Sequence, residues 1–168
     1  MKHNLRRWLL TDEEDLVKLM NNVHIWNTLS DNSPLPFTQK EAKEYITLAT
    51  KRTDAFDAFA IEIDQVLIGG VSLRQMAVPC HIVYELDFWL SQEYWEQGIM
   101  TYVLQDIVSH AFIHLPVLKI IGKVLGENLK AKFLLSKIGF QEEAVIKNAV
   151  LKCGKLSCVY KPLCCKFK

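Results

Sequence analysis

The chain has 168 residues, 50% of them hydrophobic and 23% charged, which is the composition of an ordinary globular domain and excludes disorder, collagen and a coiled coil. Its 20 Lys and Arg nearly balance its 19 Asp and Glu, and a net charge of +1 argues against a nucleic-acid binder working by bulk electrostatics. No apolar run approaches the ~18 residues of a membrane helix, and Trp8-Leu9-Leu10 is too short for the core of a signal peptide, so the expectation is a cytoplasmic protein with neither nucleic acid nor membrane as partner.

One domain is expected over 1–168, since a chain this long buries enough surface to need no disulfide or metal staple. Leu5 to Leu10 reads as a first strand. Thr11 with Glu14 is a capping-box signature, and Leu16, Leu19, Met20 and Val23 follow at helical spacing. Thr38 with Glu41 repeats the signature ahead of Ala42, Tyr45, Ile46 and Ala49. The period then changes to that of strands. Phe56 to Ile63 and Val66 to Leu73 flank Asp64-Gln65 and predict a hairpin, and His81 to Leu90 is a third β-run. After Gln97-Gly98, Met100, Val103, Leu104, Ile107, Ala111 and their neighbours form one long helical stripe. Val117 to Val124 reads as a short buried strand. Asn128 is placed to cap a helix to about Ile138, and Gly139 sits where a helix end takes a left-handed residue. Phe140 to Leu151 and Leu156 to Lys161 are the last two strands, and Pro162 places the end of the final one, or a sheet edge, at that point. The order βααβββαβαββ describes an α/β (α+β) fold, a mixed central sheet flanked by about four helices. It is not the regular alternation of a Rossmann fold or a barrel.

Four of the five cysteines, Cys153, Cys158, Cys164 and Cys165, crowd the C-terminus. Adjacent Cys164 and Cys165 point to opposite faces of a strand and do not readily ligate one tetrahedral ion. His110 and His114 have metal-pair spacing but lack the glutamate of a zinc protease motif. No metal is expected.

The segment Tyr94-Trp95-Glu96-Gln97-Gly98-Ile99-Met100-Thr101 lies between the third β-run and the best helix. Backbone N–H groups and the helix dipole there suit a phosphate, and Gly98 allows close approach; the same glycine also fits a plain tight turn. With Glu85-Leu86-Asp87-Phe88-Trp89-Leu90 before it, and Asn128 with Leu135, Lys137, Ile138, Gly139 and Phe140 after it, this segment resembles the GNAT superfamily of acetyl-CoA-dependent N-acetyltransferases. The likeness is strongest to the branch holding the ribosomal-protein N-terminal acetyltransferases.

That resemblance implies acetyl-CoA lying in a V-shaped opening between the central strand and the strand from Val117. Its pyrophosphate would meet backbone N–H groups of Gln97, Gly98, Ile99, Met100 and Thr101. Its pantetheine arm would pair with Phe88, Trp89 and Leu90, and Asn128 would reach the cofactor. A primary amine, on a protein N-terminus or a small molecule, would attack the thioester directly. A peptide, polyamine, aminoglycoside or amino acid would each fit, and a homodimer is compatible with the resemblance. Glu85 is the leading candidate base, partly desolvated by Val83, Leu86 and Phe88; the same pattern fits a salt bridge on the sheet's open face. Asp87 shares its face and competes for the role. Asn128 serves equally well as a helix N-cap. Leu135 and Ala131 stand where relatives often place a tyrosine acid and a serine, and Ser136 is the catalytic hydroxyl candidate nearby. These departures leave an acyl-CoA-binding regulatory module without catalysis as the alternative. Trp26, Phe37 and Trp95 are candidates to line the acceptor cleft, and Asp31 to meet a cationic substrate.

Overall fold

In the computed structural model, which describes residues 3–29, 34–51, 56–77, 80–152 and 154–165, the chain runs β1 (Asn4–Arg6), α1 (Glu13–Met20), α2 (Val23–Thr28), α3 (Gln39–Thr50), β2 (Phe56–Ile63), β3 (Val66–Gln75), β4 (Val83–Leu90), α4 (Ile99–His114), β5 (Lys119–Gly122), β6 (Val124–Leu125), α5 (Leu129–Lys137), β7 (Gln141–Lys152) and β8 (Lys155–Cys165), with 3-10 turns at Leu10–Asp12 and Gln92–Tyr94. The strands form one sheet in the order β1-β2-β3-β4-β5-β8-β6, with β7 along β8. Every pairing is antiparallel except β4 with β5.

Strand alternation sends each sheet face into its own apolar cluster. Ile61, Val71, Leu73, Tyr84 and Leu86 pack with the α4 stripe of Ile99, Val103, Leu104, Ile107 and Ala111. Ala58, Ala60 and Leu67 pack with Trp8, Leu16, Ile25, Ala42 and Ile46 from β1's exit and α1–α3. Each large side chain buried this way is worth about 1.5–3 kcal/mol. The hairpin turn falls at Asp64-Gln65, with φ of 48° and 66°. The Thr38–Glu41 box caps α3, the Thr38 N–H donating to Glu41 Oε2 at 2.9 Å.

Several local expectations are corrected. The first strand ends at Arg6 rather than Leu10, and α1 starts at Glu13, with Asp12 rather than Thr11 in the cap position. Buried Asp12 turns its carboxylate back: Arg6 Nη1 and Nη2 donate to it at 2.8 and 2.9 Å, and so does the Leu9 N–H at 2.9 Å. Arg6 also holds Glu62 of β2, and hydrogen bonding to Asp12 first, then to Glu62, pushes the guanidinium's pKa further above its ordinary value. Removing one partner of such a pair, whose carboxylate is buried, costs about 3 kcal/mol. Asp12→Ala is therefore expected to lower the melting temperature by roughly 6–12 °C, at ~2–4 °C per kcal/mol for a chain of this size. A calorimetric scan that finds no change removes the pair from the stability account.

The helix predicted to run through Val23 breaks at Asn21-Asn22. Asn22 caps α2, accepting from the His24 N–H at 2.8 Å. Asn21 exchanges two hydrogen bonds with the backbone of Phe37, at 2.7 and 2.9 Å. That exchange pins the segment before α3 against the α1–α2 junction. The added break gives five α-helices among the described residues instead of about four.

The strand expected over Val117 to Val124 is two strands, β5 and β6, and the final strand runs on past Pro162 to Cys165 in the sheet interior. One residue explains both. Pro162 has no N–H to donate, so the ladder with β8 lapses opposite Gly122 and Lys123, between the Ile121–Leu163 and Val124–Tyr160 pairs. On its other side, β7 carries an irregularity between Glu142, which faces Pro162, and Ala144. A bulge is the arrangement that lets proline sit inside a sheet.

Candidate active site

β4 and β5 pair only from Val83–Lys119 to Leu86–Gly122. Beyond that point β4 continues from Asp87 to Leu90 along β3 alone. The two parallel strands thus part at the middle of the sheet and leave the β5 side of four β4 residues without a strand partner. A cavity of about 630 Å³ fills this opening, within the range of pockets that take a small-molecule ligand. One end reaches the start of α4, and the other lies under α1 and α3.

At the first end the chain turns through Glu96, at φ 62°, and Gly98, at φ 78°, before α4 begins. A left-handed residue at Gly98 favours glycine. A Cβ there would meet nothing within 4 Å, so the backbone faces open cavity. The N–H groups that open α4 have no helical acceptor, although the Thr101 N–H donates to the Gly98 carbonyl at 3.0 Å. Three contacts hold this turn. Trp95 Nε1 donates to the Leu90 carbonyl at 2.7 Å. Lys130 of α5 pairs with Glu96, and its Nζ stands 5.4 Å from the Trp95 ring centroid. The hydrogen bond from Lys130, aided by its charge, holds the Glu96 carboxyl below the usual carboxylate range.

Of the two candidate bases, Asp87 lines the cavity and Glu85 is not among its lining residues. Glu85 Oε2 accepts from Lys123 Nζ at 2.8 Å, and it is Lys123 that reaches the cavity wall. Asp87 pairs with Arg74 of β3, Nη2 to Oδ2 at 2.8 Å. Phe88, Trp89, Leu90 and Asn128 line the cavity, as do Gly98, Ile99, Met100 and Thr101. Gln97 stands off the lining, its side chain donating to the Glu93 carbonyl at 2.8 Å. Ser136 is off it as well; its hydroxyl donates to the Phe133 carbonyl at 2.9 Å and is exposed. Leu135 is fully buried in the core, whereas Ala131 lines the cavity.

Asn128 does cap α5, accepting from the Ala131 N–H at 3.1 Å. Its amide also donates to the Thr28 carbonyl at 3.4 Å, which ties the end of α2 to the start of α5. Lys152 of β7 donates to the Trp26 and Leu29 carbonyls at the same helix end and covers the Trp26 ring, 4.1 Å from its centroid. Phe37 and Trp95 line the cavity, whereas Trp26 sits beneath Lys152. Asp31 and Cys153 lie outside the described residues. Arg74 and Lys123, the cations beside the two carboxylates, had no motif to mark them. Arg74 lies one residue beyond the predicted end of its strand, and only cross-strand register brings it to Glu85 and Asp87.

Among the described residues no three His, Cys, Asp or Glu side chains are grouped to hold a metal ion. Cys158, Cys164 and Cys165 are free thiols, and burial pushes the Cys164 thiol's pKa up. No described helix is long and apolar enough to cross a membrane.

Comparison with known proteins agrees with this architecture. The chain superposes on RimL, a ribosomal alpha-N-protein acetyltransferase solved with coenzyme A, with a TM-score of 0.87 at 17% identity, over 98% of this chain and 94% of that one. It also superposes on the spermidine N-acetyltransferase of Vibrio cholerae solved with CoA and spermine, with a TM-score of 0.84 at 24% identity, over 97% and 95% of the two chains. At these identities the likeness is one of fold. In sequence, an uncharacterised N-acetyltransferase of Bacillus subtilis, YoaA, is 30% identical over 88 residues, 52% of this chain and 49% of that protein, so the match spans about half the length of this curated relative. Residues 3–141 match the acetyltransferase (GNAT) domain profile, and the chain belongs to that family.

Proposed function

We propose that this protein transfers the acetyl group of acetyl-CoA to a primary amine, the amine attacking the thioester carbonyl directly. One observation carries the reading: the parted strands β4 and β5 and the left-handed Gly98 at the start of α4 open into the same cavity. The residues present fit the donor. An open Cβ position at Gly98 leaves room for a phosphate oxygen beside the first N–H groups of α4. The bare edge of β4 over Phe88, Trp89 and Leu90 suits an extended arm with amide groups, the Leu90 carbonyl being already engaged by Trp95. Exposed Phe133, with Lys130 and Lys137 on the same helix, offers an apolar and cationic surface for the nucleotide end.

In this reading Gly98, Ile99 and Met100 hold the pyrophosphate through backbone N–H groups, with Gln97 and Thr101 flanking them. Asn128 is a positioning residue, fixing α5 against α2. Asp87 takes a proton from the bound ammonium, because it is the carboxylate on the cavity wall beside the bare β4 edge. Glu85 stands behind it, held by Lys123. As the N–C bond forms and the C–S bond breaks, the nitrogen gives up a second proton and keeps its last hydrogen as the amide N–H, and the sulfur takes up a proton and leaves as the CoA thiol. The acceptor is a protein N-terminus or a small amine, as in the structural neighbours.

A second reading, binding without catalysis, has its own observation: Leu135 is sealed in the core and Ser136 is turned away, so no side-chain hydroxyl of α5 faces the cavity. Turnover separates the two. Release of free CoA thiol, dependent on both acetyl-CoA and an amine and undiminished by EDTA, is the expected result. A melting temperature raised by acetyl-CoA with no turnover across an amine panel supports the second reading. Bound zinc that leaves together with activity overturns the metal-free mechanism.

A further inference from the structure

We propose that the acceptor is a hydrophobic α-amino acid with a free carboxylate, its two charged groups taken by Asp87 and Arg74 and its side chain by the apolar wall under α3. This inference rests on the acetyl-transfer reading and narrows its substrate.

Charge on the cavity wall carries the first step. Among the described residues the lining holds four cations, Arg74, Lys123, Lys130 and Lys137, and two carboxylates, Asp87 and Glu96. Glu96 is bound by Lys130 at the α4 turn. That leaves Asp87 as the carboxylate of the acceptor half among the described residues. A polyamine carries several ammonium groups; with one of them at Asp87, the others would meet Arg74 and Lys123 as like charges.

The arrangement of Arg74 and Asp87 carries the second. Their ion pair, at 2.8 Å, presents a cation and an anion side by side, with side-chain exposures of 57% and 35%. An α-amino acid presents an ammonium and a carboxylate joined through one carbon, which is the complementary arrangement. A guanidinium has five donors and a carboxylate about four acceptor positions, so each group serves more than one partner. A peptide N-terminus or an amino-acid amide offers the ammonium but no carboxylate, and leaves Arg74 with a weaker, neutral acceptor.

The remaining wall supplies the third step. Phe56 stands opposite Arg74 in the β2–β3 register. Tyr45 packs edge-on to Phe56, and both line the cavity with Leu48, Phe37 and Met20. An aliphatic or aromatic side chain entering beside Arg74 meets carbon on several sides. The hydroxyls of an aminoglycoside would lose water there without gaining partners.

The chemistry closes consistently. Asp87 accepts a proton from the substrate ammonium, the nitrogen forms its bond to the acetyl carbon and gives up a second proton, and the carbon–sulfur bond breaks, the sulfur taking up a proton to give the CoA thiol and an N-acetyl amino acid. The product keeps its carboxylate but has lost the cation that faced Asp87, so attraction gives way to like-charge repulsion, which favours release.

Initial rates of CoA release with phenylalanine, leucine, phenylalaninamide and spermidine, at saturating acetyl-CoA, test this. The free acids are expected to exceed the amide in kcat/KM by about ten- to a hundredfold, the worth of one hydrogen-bonded charge pair. Arg74→Gln is expected to raise KM for phenylalanine far more than for the amide, and Arg74→Lys to recover part of the difference. Arg74 is largely exposed, and the ratio between two substrates on one preparation is insensitive to a change in folded fraction. Equal or better turnover of the amide or spermidine overturns the assignment. So does an unchanged acid-to-amide ratio in Arg74→Gln, or a protein that is stabilised by acetyl-CoA and turns over no amino acid. If acetyl-CoA neither stabilises the protein nor is consumed with any amine, it is the acetyl-transfer reading that fails, and this inference falls with it.

Discussion

Asp87→Asn is expected to lower kcat at neutral pH by about 10²–10⁴-fold, the range for a positioned general base. A primary alkyl ammonium like that of lysine has a pKa of ~10.4, so about one part in 2,500 is neutral at pH 7. An enzyme that strips this proton at the site gains rate before any acyl chemistry begins. Asparagine keeps the side chain's shape and its hydrogen bond to Arg74 and removes only the basic oxygen. Because Asp87 is partly exposed and its pair with Arg74 lies near the surface, the stability change is held to ~0–1 kcal/mol. The loss in rate should shrink as pH rises, since neutral amine then arrives from solution. Glu85→Gln is expected to cost less, because Glu85 stands off the cavity wall with Lys123 on its carboxylate. Both variants should retain acetyl-CoA binding, read as an unchanged thermal shift. If the larger loss falls on Glu85→Gln, the base is Glu85, acting through water past Lys123. A pH-independent kcat in Asp87→Asn removes Asp87 from the mechanism.

Gly98→Glu should abolish acetyl-CoA binding. A ligand that binds only the native state at about 100 times its dissociation constant stabilises it by ~2.7 kcal/mol. At ~2–4 °C per kcal/mol the melting temperature rises by roughly 5–11 °C. Glutamate at Gly98 places a side chain and a negative charge where the Cβ position is open and a phosphate is proposed to sit. Any side chain there also carries the left-handed backbone cost, ~1–3 kcal/mol, at φ 78°. A control separates the two effects. Gly154 has φ 73° and an equally open Cβ position at the β7–β8 turn. Gly154→Ala should show the backbone cost alone, with the acetyl-CoA shift intact, while Gly98→Glu loses stability and shift together. A Gly98→Glu protein that keeps the full shift places the cofactor elsewhere.

The elements legible in the sequence are those whose cause is local. The α4 stripe, the Thr38–Glu41 box, the Asp64-Gln65 turn and the glycines at 98 and 139 each depend on residues within a few positions of one another. Spacing and backbone preference therefore suffice to place them. Most of the order of elements along the chain and the turn before α4 were readable for the same reason, and with them the family resemblance. What the sequence left open depends on register. Pro162 looked like a strand's end. In the fold it is an interior residue that interrupts β8's ladder with the β5–β6 segment and sits opposite a bulge in β7, which no window around Pro162 reveals. Asp12 reads as one acid in the acidic run Asp12-Glu13-Glu14-Asp15, yet its carboxylate is buried and β1 delivers Arg6 to it. Glu85 and Asp87 are two residues apart and share a face, so alternation treats them alike. Their difference comes from partners far along the chain: Lys123 for one, and Arg74 with the parting of β4 from β5 for the other. A side chain's type and face are set by its own stretch of chain. Which charge meets it, and whether it borders a cavity, is set by strands that pair only after the sheet has assembled.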